Sequence, residues 1–93
     1  MIQQNQQTDF STPDIFLATS LLYYGIALRD VELDGHHGVF VFEAPNGGLG
    51  SLVEFIRAGK LSGNFRVWFS AYKVVQTRLR DKKREAGLWR EGT

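Results

Sequence analysis

The chain has 93 residues, of which 43% are hydrophobic and 13% aromatic, enough for one hydrophobic core and too apolar for a disordered chain. It contains no cysteine, which excludes disulfide frameworks, thiolate zinc sites and cysteine nucleophiles together. The net charge of +1 conceals a division: residues 1–59 hold two basic side chains, Arg29 and Arg57, against seven acidic ones, whereas residues 60–93 hold nine basic against three acidic.

Residues 1–10 contain four Gln and one Asn and little apolar content, so they read as a mobile tail ahead of a single domain over 11–87, with a second tail at 88–93. Nothing in this start resembles a signal peptide, and no apolar run approaches the roughly 20 residues that cross a bilayer. A cytoplasmic protein without membrane contact is expected. Thr12-Pro13-Asp14 reads as a helix start, with Thr12 as the cap, Pro13 in the first turn and an acid at the positive end of the dipole. Ile15, Leu17, Ala18, Leu21 and Leu22 share one face of that helix, while Phe16 and Tyr23 lie opposite among Thr19 and Ser20. Gly25 stops it.

Two β-prone runs, Ile26–Leu33 and Val39–Glu43, flank the turn-forming segment Asp34-Gly35-His36-His37-Gly38 and predict a hairpin. Val39-Phe40-Val41-Phe42 is apolar on both faces, so both need a cover. After the loop Pro45–Gly48, Leu49, Leu52, Val53 and Ile56 recur at helical spacing as far as Gly59. Beyond Ser62-Gly63-Asn64, a long helix is expected to run to about residue 85, with Phe65, Trp68, Phe69, Tyr72, Val75 and Leu79 on its apolar face and Gly87 at its end. That spacing predicts core packing for the aromatics. The fold class is therefore α+β in the order α-β-β-α-α, a hairpin packed with three helices, the last one long.

On the same last helix Arg66, Lys73, Arg80 and Arg84 fall within about 40° of one another, opposite the aromatic face by the helical step. Lys82 and Lys83 extend the positive end. Such a row suits a phosphate backbone, and equally a solvated face whose cations offset the helix dipole. Asp34, His36, His37 and Glu43 form the one cluster with metal-ligand chemistry, but adjacent His residues on a strand point to opposite faces. No nucleophile motif accompanies them. The Gly-rich segment Asn46–Gly50 lacks the Gly-Lys-Ser/Thr of a phosphate loop. No catalytic, cofactor-binding or metal-ligating residue is assigned, and no enzyme or cofactor is expected.

Thr12-Pro13-Asp14-Ile15-Phe16-Leu17-Ala18, then Leu21 and Gly25, Val39–Phe42, and Phe69 with Tyr72 ahead of a basic helix end, resemble a group of short bacterial and phage proteins without an assigned activity. The resemblance spans roughly residues 8–82 and implies a prokaryotic or phage setting and a compact α+β fold. It transfers no site residue.

A two-stranded hairpin is marginal alone and leaves its edges unpaired, which suggests association of two copies through a shared sheet. The reading this favours is a small binding or assembly domain acting as a homodimer in protein–protein interaction. Phe16, Tyr23 and Trp89 are its candidate contact surface, since they lie off the expected core faces. The alternative is a nucleic-acid-binding accessory protein using Arg66, Lys73, Arg80, Lys83 and Arg84.

Overall fold

The computed structural model describes residues 9–45 and 48–88 and arranges them as β1 (Phe10–Thr12), α1 (Ile15–Tyr23), β2 (Leu28–Asp34), β3 (His37–Phe42), α2 (Gly50–Arg57) and α3 (Phe65–Glu85). The α+β class, the hairpin and the long last helix are as the sequence predicts. One element is new. β1, which begins at the last residue of the Gln-rich segment, adds a third strand, giving an antiparallel sheet of order β1-β3-β2.

The helix start differs from the expected one by two residues. Asp14, not Thr12, caps α1, its Oδ1 accepting the N–H groups of Phe16 and Leu17 at 2.9 and 3.2 Å. Thr12 belongs to β1, where its hydroxyl accepts the Asp14 N–H at 3.1 Å, and Pro13 lies ahead of the cap instead of in the first turn. A carboxylate is at least as good an N-cap as a Thr hydroxyl and also offsets the dipole, so the more acidic residue takes the position.

β2 and β3 are joined at Gly35-His36, with Asp34 paired to His37. Gly35 has φ +66° while no non-glycine residue in the described chain has positive φ, the Gly-first arrangement that matches strand twist in a two-residue hairpin. Phe10, Phe42 and Leu28 form one cross-strand row, and Thr12, Phe40 and Val31 the next. This face meets Leu17, Ala18 and Leu21 of α1, Val53 and Ile56 of α2 and Val75 of α3 in the core. Gly38 makes room for Leu79, whose side chain lies where a Cβ on residue 38 would be. The opposite face carries Val39, half-buried, and Val41, buried with Ser11 and Asp30 as its cross-strand neighbours.

The third strand removes the main reason for expecting an intermolecular sheet, because β3 is central and has a partner on each side. The outer border of β2 is also blunted. A bulge lies between Leu28 and Asp30, the Asp30 carboxylate accepts the Val31 N–H at 2.8 Å, and the Arg78 guanidinium of α3 lies 3.5 Å from the carbonyl oxygens of Leu28 and Arg29. Bulges and inward charges are the usual means of keeping a strand edge from pairing with another chain. β1, the other edge, is only three residues long.

The aromatic face of α3 does not go into the core as the spacing predicts. Val75 is fully buried and Leu79 packs on the core, but Phe65 is 75% exposed and Phe69 43% exposed, and Trp68 and Tyr72 are half-buried. The physical reason is lateral offset. α3 lies against α1 and β2, and of its apolar residues Val75 and Leu79 are the ones that join the core.

Candidate functional site

The surface of interest begins with the loop ahead of α3. Tyr23, at the end of α1, donates its hydroxyl proton to the Ser62 carbonyl at 3.2 Å and accepts the Asn64 N–H at 2.9 Å. Gly63 lies between them at φ +120°, its Cα so close to the Tyr23 hydroxyl that a Cβ has no room. Only glycine meets both demands. Asn64 then caps α3, its Oδ1 accepting from the N–H groups of Arg66 and Val67 at 2.9 and 3.2 Å. One turn further, the Trp68 indole N–H donates to Ser20 Oγ at 3.0 Å, which satisfies a fully buried hydroxyl. The first turns of α3 are thus pinned to α1 by polar contacts, leaving their rings free to face outward.

Those rings form a ladder. Phe65 and Trp68 lie 6.2 Å apart between centroids with planes 10° from parallel, and Trp68 and Tyr72 lie 6.0 Å apart at 8°. Phe69 is tilted about 20° from its neighbours, 6.3 Å from Phe65 at 23° and 5.7 Å from Tyr72 at 22°. Parallel planes at such separations are offset stacks, a favourable arrangement of ring quadrupoles. Phe16, 46% exposed, leans on Trp68 from α1 at 5.6 Å and 41°. Between Phe16, Tyr23, Phe65 and Trp68, and lined also by the Leu61–Asn64 loop, is an open, largely apolar cleft of about 280 Å3.

The cations are beside this ladder and not opposite it, contrary to the expectation from sequence. Lys73 Nζ lies 5.3 Å from the centroid of the Phe69 ring, a cation–π distance. By the helical step, the exposed Arg66, Lys73 and Arg80 follow a line roughly 75° around α3 from that of Phe65, Phe69 and Tyr72. No acidic residue occurs between Glu54 and Asp81, so the line runs through wholly cationic sequence. Three of the other basic residues of α3 have structural partners. Lys82 pairs with Asp30 at 3.4 Å and Arg84 with Asp81 at 3.8 Å, while Arg78 is on the β2 border. Lys83 is half-buried. The Val31 N–H, and after it Lys82, hold the Asp30 carboxyl below its ordinary pKa of 3.8.

Of the contact residues expected from sequence, Phe16 and Tyr23 are brought together at the cleft, while Trp89 lies outside the described residues. His36, His37 and Asp34 sit exposed at the hairpin tip, and no group of three or more His, Cys, Asp or Glu among the described residues could hold a metal ion. No helix among the described residues is long and apolar enough to cross a membrane.

The exposure of Phe65 and Phe69 left a trace in the sequence. Their line along α3 continues into Gln76 and Lys83, both polar, whereas the line of Trp68 continues into Val75 and Leu79. An apolar stripe that turns polar after two turns is leaving the core. Comparison with family models, with curated proteins and with solved structures gives no match.

Proposed function

We propose that this protein, of bacterial or phage origin, is a non-enzymatic binding domain that takes up single-stranded nucleic acid on the exposed face of α3 in the cytoplasm of a prokaryotic cell. The observation that carries the reading is a ladder of stacked rings, Phe65 and Phe69 exposed and Trp68 and Tyr72 half-buried, beside an acid-free row of cations. Every base has a π-face, so a ring platform accepts bases with little regard to sequence, at about 1–3 kcal/mol per stacked base. Arg66, Lys73 and Arg80 neutralise the phosphates that follow the bases along the helix. A duplex hides its base faces and gains only the phosphate contacts.

The test is a titration of labelled single-stranded DNA, single-stranded RNA and duplex DNA over a range of salt concentrations. Single strands are expected to bind more tightly than duplex, with a log–log salt slope of roughly −2 for three phosphates. Arg66→Glu with Lys73→Glu and Arg80→Glu is expected to abolish binding. Equal affinity for duplex, or no binding at low salt, defeats the reading.

A second reading, a homodimer joined through the same rings, is favoured by the contiguous exposed apolar surface of Phe16, Phe65 and Phe69. It ranks second because a twofold contact there brings two copies of the same cationic row together, which is repulsive. Sedimentation at rising protein concentration and low salt distinguishes the two, with a monomer expected.

A further inference from the structure

Resting on that reading, we propose that the cleft between α1 and the start of α3 holds one unstacked nucleobase of the bound strand. Around α3 the surfaces follow in order: the cations Arg66, Lys73 and Arg80, then the rings of Phe65, Phe69 and Tyr72, then the cleft on the Trp68 side. A strand whose phosphates lie on the cations directs its bases across the rings and toward the cleft. Apolar ring walls from Phe16, Phe65 and Trp68 offer a stacking surface to a planar heterocycle. The 280 Å3 space admits one such ring system and not a polymer.

Polar groups at the rim suit the edge of a base. Ser62 offers a hydroxyl, and Asn64, whose Oδ1 is committed to the helix cap, offers its amide N–H2. Single-stranded nucleic acids are read in this way, by stacking on aromatics and hydrogen bonding to base edges. The cleft is also pre-formed. The Tyr23 bridge to Ser62 and Asn64, and the Trp68 bond to Ser20, hold its walls without a ligand, so little ordering cost falls on binding. An aromatic side chain of a partner protein would suit the walls, but the cationic row on the far side of the rings favours an occupant attached to a phosphate chain that crosses them.

The experiment uses the full chain, a short oligothymidylate, and a set of the same oligomers with a single abasic position moved along the strand. Phe16→Ala is expected to weaken the intact oligomer by roughly five- to a hundredfold, the range for loss of one base–aromatic stack. With the abasic site at the position that enters the cleft, that penalty disappears, whereas Phe65→Ala still weakens binding. Equal binding of the intact oligomer by wild type and Phe16→Ala, with Phe65→Ala still impaired, overturns the base site and leaves the platform standing. No binding by the wild type at low salt removes both.

A second measurement is independent of the variant's fold. Thymidine monophosphate added to the labelled wild-type protein is expected to shift the NMR signals of the Trp68 indole and the Ser62–Asn64 amides. Shifts confined to Arg66 and Lys73, or equal shifts with tryptophan amide in place of the nucleotide, overturn the proposal.

Discussion

The two halves of α3 are one continuous helix of opposite composition, apolar side chains crowding the N-terminal half and charged ones residues 76–85, and it is not the apolar half that is the better buried. The C-terminal half is structural: Val75 and Leu79 enter the core, Arg78 lies on the β2 border and Lys82 pairs with Asp30. The N-terminal half is held at its base by Trp68 and Asn64 but turns Phe65 and Phe69 outward. A helical stripe of aromatics is therefore no measure of burial. What decides is whether another element faces it, and among the described residues none covers Phe65 or Phe69.

The sharpest break of that comparison is a pair of phenylalanine deletions. Phe40→Ala, at the buried centre of the sheet, is expected to cost about 3–5 kcal/mol of stability, from lost burial and the cavity left behind. Phe65→Ala is expected to cost under ~0.5 kcal/mol while impairing single-strand binding. Urea denaturation of both variants checks it. A large stability loss from Phe65→Ala would mean that its ring is covered in solution, as the homodimer requires.

A smaller effect concerns the joint between the halves. Trp68→Phe keeps an aromatic ring, though a smaller one, and removes the indole N–H, leaving the buried Ser20 hydroxyl without its partner, at a cost of about 1–3 kcal/mol. Ser20→Ala in the same background should recover part of that loss. If Trp68→Phe proves neutral by thermal denaturation, the outward pose of the ladder does not depend on this bond.

The smallest effect expected is electrostatic. Because the folded-state pKa of Asp30 lies below 3.8, its contribution to stability is fully present above that value and is lost as the pH falls through the lower folded value. The pair with Lys82 is exposed, so only a slight excess acid sensitivity is expected over Asp30→Asn. Urea midpoints of both proteins at neutral pH and below pH 3.8 measure it; identical acid losses would show that Asp30 does not anchor α3.

Much of the fold was legible beforehand. Val39–Phe42 announced a strand needing cover on both faces, Gly35 a hairpin turn, and the period of α3 a long helix, because each is a local property of neighbouring side chains. β1 was not legible. Three residues, Phe10-Ser11-Thr12, carry no period, and they form a strand only because β3 offers a free edge beside them. The site is half legible, since Phe16 and Tyr23 stand off the core face of their helix, while the spacing of the α3 rings by itself predicts core packing.

By itself, the sequence determined the three helices and the hairpin to within a few residues at their ends, since these follow from backbone sterics, capping and periodicity among near neighbours. Tertiary structure alone decided that Tyr23 and Gly63, forty residues apart, lock the start of α3, and that Phe65 and Phe69 are left outside the core. Burial is a property of what lies across from a face, and that neighbour is chosen only when the whole chain packs.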